Sequence, residues 1–540
     1  TIIYTGYGSP TGFTGSYYNL VLNKSSGTLG FSGSPYILND LTIQDGIFQV
    51  GAVTVNIGNN LNLEDGEFTP DNASGVTNIG GNLNISGGEY DHNSGTVKVT
   101  GNLEMTGGDI LFSGGSSTID ISGDFNFNGG TPNLQGGDFI TNNLYVASGN
   151  EIFINGINLT ASGQVELDGT MTFNNTGGSK LIGSVLVNAT GNWNVTQPNN
   201  VTISGNITNN GVFTADPGYG TSVYTLTSSS GTLSGSGDLN IRDLVINSPA
   251  SYTNETTLSV ANTFTGSGTF TNGAGATFVY SGNNSSGTNF TVSNFDASAV
   301  GNTVVYAALT YNQQWRTTSS ANNDYYNVTI ETNTGDYQSI NLAADVRVNG
   351  TLNIVEGFVQ LGSFDLEMAA GATITGGDDS NYIRINGSGV VRQYFSSVGS
   401  TLSFPIGDSN DYSPITSFTV NSATLGANPY VELDITDANH PNRSTGNIGV
   451  GGNDDGVTAT DYISRYWTLT GNDMTNPSFN VSYQYIDGDI TGTEANMIAA
   501  LYGQPPGETF FDWKDAGSVN AVNNTATITN VNYWGDLYAM

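Results

Sequence analysis

Along the first part of the chain, apolar residues come in pairs separated by one residue, and the pairs recur at a nearly fixed interval. Leu20, Leu41, Leu61, Leu83, Leu103, Phe125 and Leu144 open successive pairs, at steps of 21, 20, 22, 20, 22 and 19 residues. Leu22, Ile43, Leu63, Ile85, Met105, Phe127 and Val146 close them, so both members fall on one face of a strand whose side chains alternate. Another column stands just before each pair: Asn19, Asp40, Asn60, Asn82, Asn102, Asp124 and Asn143. Glycine follows three residues after the second apolar position, at Gly46, Gly66, Gly88, Gly108, Gly130 and Gly149, where a positive φ would turn a corner and close the strand.

A unit of this length cannot bury its apolar face alone and must stack on the next one. The pattern predicts an all-β chain built as a β-solenoid (a parallel β-helix) with coils of about 19–22 residues. The Leu83 and Ile85 columns would line its interior, and the Asn82 column would hydrogen-bond from coil to coil. A leucine-rich repeat has a similar period, but its LxxLxL pattern and helical return are missing. An ordinary β-sandwich with coincidental spacing is the other competing reading. The pattern loosens and then returns in GNWNVT (191–196), SGNITNNG (204–211) and VNGTLNIVEGFVQLG (348–362), the last close to LNDLTIQDGIFQVG (38–51). A longer cassette also recurs: TIIY (1–4) leads to YYNLVLN (17–23), SVYTL (222–226) to RDLVINSP (242–249), and TVVY (303–306) to YYNVTIE (325–331). Residues near 212–225 and 295–325 are therefore candidate joints. About 18 coils over residues 17–390, at a strand spacing of roughly 4.8 Å, would give a rod on the order of 85 Å.

Near residue 391 the Gly-paired phrases stop, and Trp, Tyr and Pro gather in LSFPIGDSNDYSPI (402–415), SRYWTLTG (464–471) and NYWGDLYAM (532–540). Phe479, Val481, Tyr483 and Tyr485 alternate as in half-buried antiparallel strands, which predicts a C-terminal antiparallel β-sandwich. The expected organisation is a regular solenoid block (1–220), looser blocks with restart cassettes (221–390) and a sandwich (391–540) that would cover the open solenoid end.

Composition narrows the partners. With 11 Lys+Arg against 46 Asp+Glu the formal net charge is −35, which argues against nucleic acid or anionic lipid and suits divalent cations. There is no cysteine, hence no disulfide or thiolate metal site, and no apolar run long enough to span a bilayer, so no membrane insertion is expected. Gly at 73 residues and only 11% charged residues leave little room for solvent-facing helices and are unlike a cytosolic enzyme.

Catalytic chemistry is scarce. The histidines, His92 and His440, fall on opposite sides of the expected domain boundary, so no Ser-His-Asp set or two-His metal site suggests itself. Lys24, Lys98, Lys180, Arg242, Arg316, Arg347 and Arg384 share no column of the solenoid, which leaves no basic groove for a polysaccharide lyase. The strongest site signal is DGDITGTE (487–494). Asp487, Asp489 and Thr491 have the alternate spacing that turns successive oxygens towards one Ca²⁺, with Glu494 completing the set from an unusual place. The competing reading is a solvated acidic hairpin turn. Asp454 and Asp455, with Asp461, form a second acidic candidate.

The GNLNISGG-like coil, the YYNLVLN restart, and FPIGDSNDYSPI followed by ISRYWTLTG and YIDGDITGTEANM together resemble the long, repetitive cell-surface proteins of Bacteroidota exported by the type 9 secretion system, including gliding-motility and adhesion filaments. The resemblance implies an extracellular, cell-surface adhesin or fibre, and the scarcity of catalytic residues leads to the expectation that it is not an enzyme. Its partners would be surface glycans or other surface and fibre proteins, with self-association into filaments. The short C-terminal sorting domain usual in such proteins is not recognisable after Trp534, and Thr1 opens inside a cassette, so further chain is expected. The alternative is a carbohydrate-binding or polysaccharide-cleaving β-helix that uses Trp193, Trp315 or Trp513 as exposed stacking platforms.

Overall fold

The structure, a computed structural model, describes residues 1–540 apart from 7–14, 32, 71, 309–310, 333–338, 444–458, 510 and 516. It is all-β, and among the described residues helix amounts to single 3-10 turns such as Asp487–Asp489 and Glu494–Asn496. Two compact units divide the chain, Thr1–Phe270 and Thr271–Met540.

The first unit is a parallel β-solenoid. Its apolar columns follow the period of the sequence: Leu20 pairs with Leu41, Leu41 with Leu61, Leu61 with Leu83, Leu83 with Leu103, Leu103 with Phe125 and Phe125 with Leu144, all parallel. Every one of these side chains is buried. A coil turns through three strands, exemplified by Leu83–Ile85, Glu89–His92 and Gly95–Val99. Each strand contributes alternate residues to a shared interior, so identical or similar side chains stack directly over one another. Phe48, Phe68 and Tyr90 form one such aromatic stack, with ring centroids 5.8 and 5.6 Å apart. Further along, Trp193 stacks on Phe213 at 5.3 Å and donates its indole N–H to the Tyr224 hydroxyl at 2.8 Å, which satisfies a polar atom inside the core.

The Asn column is a continuous ladder, though of a different kind from stacked amides. The Oδ1 of each rung accepts the backbone N–H of the next: Asn19 from Asp40, Asp40 from Asn60, Asn60 from Asn82, Asn82 from Asn102, Asn102 from Asp124, Asp124 from Asn143, and Asn143 from Gln164. The corner N–H groups that the strands leave free are satisfied in this way. The ladder also explains the residue ahead of most rungs, Asn39 above Asn19 being an exception. A Cβ at Gly81, Gly101, Gly123 or Gly163 would lie 2.5, 2.1, 2.3 or 2.2 Å from the Oδ1 of the rung below. Where the rung below is an aspartate, an asparagine stands there instead and donates to it: Asn59 to Asp40 at 2.8 Å and Asn142 to Asp124 at 3.1 Å.

The corner glycines behave differently from the expectation in one respect. Gly46, Gly88, Gly108, Gly130 and Gly149 do adopt φ between 69° and 100°, but Gly66 does not. Gly46, Gly108 and Gly130 also lie inside the continuous strands Leu41–Gln49, Leu103–Phe112 and Phe125–Leu134 rather than ending them. They bend a strand at a register shift, such as that between Met105 and Asp109, instead of closing it. Parallel pairing runs unbroken through the proposed joint at 212–225, where Phe213 pairs with Leu239 and Tyr224 with Leu244.

The second unit begins with parallel pairing too. Thr277–Tyr280, Thr303–Tyr306, Asn327–Glu331, Thr351–Glu356 and Thr373–Gly376 stack in order. The change comes at Val391–Tyr394, which pairs parallel with Leu366–Met368 on one side and antiparallel with Ile415–Thr436 on the other. Arg392 ties the seam, with its guanidinium 2.8 Å from Asp365, 3.4 Å from Glu367 and 2.8 Å from Glu432. Beyond it, Ile415–Thr436, Tyr466–Gln484, Thr525–Val531, Gly535–Ala539 and Ala499–Gly503 pair antiparallel.

Candidate functional site

The motifs of the C-terminal region converge on one buried cation. Arg465, in the SRYW segment, is fully buried at 0% exposure. Its Nε donates to Asp489 Oδ2 at 2.7 Å, its Nη1 to Asp408, and its Nη2 to Asp411 Oδ2 at 3.1 Å, with Asp437 at 3.7 Å. Asp408 and Asp411 belong to GDSNDYSP, and Asp489 to DGDITGTE, so three separate segments are pinned together at one guanidinium. The neighbouring Trp467 donates its indole N–H to Ser413 O at 2.9 Å, a second tie to the same loop. Burial works to raise the Asp408 carboxyl, but the N–H groups of Asn410 and Asp411 and the Arg465 guanidinium outweigh it and hold the group below its ordinary value. For Asp489 burial wins and pushes the carboxyl up against the pull of Arg465. Desolvation also opposes the charge on Arg465, yet its carboxylate partners keep it firmly protonated.

The proposed Ca²⁺ ligands are not turned onto one point. Asp487 accepts from Asn524 Nδ2 at 2.7 Å, Asp489 faces Arg465, and Glu494 accepts from the Tyr485 hydroxyl at 2.6 Å. Thr491 is exposed and sits in a short antiparallel pair with Tyr462. Among the described residues, the carboxylates whose oxygens come within 4.8 Å of one another as a group of three are Asp408, Asp411 and Asp437, around Arg465. Asp454 and Asp455 lie outside the described residues. Asp461, their partner in that candidate, instead caps the 487–494 loop: Oδ1 accepts the Thr493 N–H at 2.5 Å and Oδ2 the Asn496 amide at 3.1 Å. These bonds hold its carboxyl below the usual range. Gly492, at φ 88°, is required there, because a Cβ would lie 2.2 Å from Asp461 Oδ1.

The other ionisable groups are built into the packing. His92 is buried, with Nδ1 3.0 Å from the Tyr90 hydroxyl and Nε2 3.1 Å from Gly95 O, and burial lowers its pKa to about 4. His440 is also buried. Its Nδ1 accepts the Asn442 N–H at 3.2 Å, so Nε2 carries the proton donated to Asp536 Oδ2 at 3.0 Å. Lys180 takes an interior position, donates to the carbonyls of Gly177 and Gly178, and has its pKa lowered to about 8 by desolvation. Arg242 makes a surface pair with Asp216 at 3.2 Å.

The aromatic platforms named from sequence are a correction. Trp193, Trp315 and Trp513 are 0%, 1% and 0% exposed: Trp193 and Trp513 face inward from strands, Trp315 follows the short strand Gln313–Gln314, and all three pack against other rings. Exposed aromatic residues lie elsewhere, singly at Tyr18, Tyr36, Phe153, Tyr219 and Tyr311, and grouped in an open groove of ≈390 Å³ walled by Phe511, Tyr533 and Trp534 together with Asn476, Gln504 and Asn532. Sequence reasoning passed over it. Its sequence signal was the density of Pro and aromatic residues in QPPGETFF and NYWG, without periodicity to give them a side.

Fold and side-chain partners thus define a parallel β-solenoid continuous with an antiparallel C-terminal region, in which the conspicuous polar motifs are structural ties. No protein-family model, curated protein or solved structure matches the chain. No helix among the described residues is long and apolar enough to cross a membrane.

Proposed function

We propose that the chain is a non-catalytic structural and adhesive segment of an extracellular bacterial surface fibre, of the kind exported by the type 9 secretion system in Bacteroidota. The observation that carries this reading is the coil-to-coil ladder. The repeat places its apolar columns, its Asn and Asp rungs and the glycines above them in contacts between successive coils, which stiffens a stack through nearest-neighbour interfaces and needs no active-site pocket. The histidines, Lys180 and Arg465 are engaged with protein partners rather than gathered in a cleft. On this reading the antiparallel region beyond residue 391 is a β-sandwich, and the partners are surface glycans, other surface proteins or further copies of the chain. Ca²⁺ remains its candidate cofactor at Asp487, Asp489, Thr491 and Glu494, although Arg465 already supplies a positive charge to one of the carboxylates. Calorimetry at millimolar Ca²⁺ decides that point.

Immuno-electron microscopy of the source cells with antibody raised against this chain tests the main reading. Labelled elongated filaments, attached or shed, are expected. Labelling of compact particles, together with depolymerisation of an acidic polysaccharide by the purified chain, would overturn it in favour of the polysaccharide-cleaving alternative.

A further inference from the structure

We propose that the groove at Phe511, Tyr533 and Trp534 binds a neutral saccharide chain. The inference rests on the adhesive reading above and names what the segment would hold.

The first argument is charge. In a chain with 46 acidic and 11 basic residues, none of the described residues lining this groove is charged. A polyanion would find no counter-charge in the groove and would be repelled by the net charge of −35. A cationic ligand would find the carboxylates elsewhere. Only an uncharged ligand gains from a wall of this composition.

The second argument is chemical shape. A sugar ring presents an apolar face of C–H groups rimmed by hydroxyls that both donate and accept. Flat aromatic rings match the face, and planar amides, each with a donor beside an acceptor, match the rim. The groove supplies both kinds, with Asn476, Gln504 and Asn532 exposed around the rings. An extended proline-rich peptide would use the rings but offers mainly acceptors to the amides.

The third argument is preorganisation. Phe511 remains 60% exposed while lying against Tyr502, ring centroids 5.9 Å apart. Trp534 is stacked on Phe479 at 4.8 Å and 8° and abuts Gly471, where a Cβ would lie 2.2 Å from the indole. Rings held this way lose little freedom on binding. The Tyr533 hydroxyl and the Trp534 indole N–H are buried, so hydrogen bonds to ligand hydroxyls fall to the exposed amides of Asn476, Gln504 and Asn532.

The test is affinity electrophoresis of the full chain through gels containing a soluble β-glucan, a galactomannan, a xyloglucan or a polyuronate. Retardation by at least one neutral polysaccharide and not by the polyuronate is expected. Phe511→Ala should weaken it at least tenfold with no change in melting temperature, since that ring is mostly in solvent. The double variant Gln504→Ala/Asn532→Ala, also at exposed positions, should weaken it similarly. The proposal is overturned if no neutral polysaccharide retards the chain, if the polyuronate does so equally, if both variants migrate as the parent does, or if a proline-rich peptide displaces the glycan and binds more tightly. The fibre reading is scored separately by filament labelling, so loss of either leaves the other measurable.

Discussion

Replacing Asn82 isolates the coil-to-coil ladder from everything else in the coil. Its Oδ1 accepts the Asn102 N–H at 2.9 Å, while its own backbone N–H, bonded to Asn60 Oδ1 at 2.8 Å, survives any side-chain change. Asn82→Ala therefore deletes one acceptor and leaves a part-buried backbone N–H unpaired, which costs about 1–3 kcal/mol. The space vacated beside Gly101, whose Cβ position is 2.1 Å from Asn82 Oδ1, admits water and moves the cost towards the middle of that range. At about 2 kcal/mol, the Thr1–Phe270 unit should lose roughly 3–4 °C in melting temperature. Asn82→Asp keeps the acceptor but lacks the asparagine donor that accompanies Asp40 and Asp124, since Gly101 stands there, so it should lose clearly less stability than the alanine variant without being neutral. Thermal and urea unfolding followed by circular dichroism measure the stabilities, and hydrogen exchange at the Asn102 amide reports the bond itself. If the alanine variant is as stable as the parent, or the aspartate variant falls as far as the alanine one, the ladder does not support the coils.

Other perturbations address other layers. Leu83, 0% exposed between Leu61 and Leu103, should cost about 2–5 kcal/mol as Leu83→Ala and more as Leu83→Asp, read by urea unfolding. His92 has a folded pKa of about 4 against 6.5 for the exposed group, so its contribution is complete above pH 6.5 and is lost as pH falls towards 4. The loss amounts to roughly 3 kcal/mol, and a pH series of unfolding curves should lose that acid-side slope in His92→Gln. Arg465→Ala leaves buried carboxylates uncompensated and should destabilise the second unit by roughly 3–5 kcal/mol, with part of the loss recovered when Asp489→Asn is added, as a double-mutant cycle would show.

The solenoid was legible in the sequence because each structural role recurs at a fixed spacing. A coil touches chiefly the coils before and after it, so an inward leucine, a rung asparagine and a corner glycine each appear as a column of like residues, and the steps from Leu20 to Leu144 became the pairing register without change. Alternation within each pair was enough to assign the inner face. Antiparallel pairing begins at Val391–Tyr394, close to where the Gly-paired phrases stop in the sequence, while the compact units divide elsewhere, between Phe270 and Thr271.

Tertiary structure alone decided what depended on a single, unrepeated neighbour. Gly101 reads as a flexible residue, but its need comes from the carbonyl oxygen of the Asn82 side chain one coil below. The spacing of Asp487, Asp489 and Thr491 suggested a cation, while the charge that meets Asp489 comes from Arg465, 24 positions away, and the same guanidinium reaches Asp408 across 57. Trp193 continues the alternation of GNWNVT, which already marks an inward position, whereas Trp315 and Trp513 fall outside the repeat, and the groove at Phe511 and Trp534 is assembled from the middle of one long strand, a loop and strand ends with no common period. Periodic contacts write themselves into the chain many times over; a contact made once, between distant segments, leaves only its residue types, and their partners are chosen by the folded geometry.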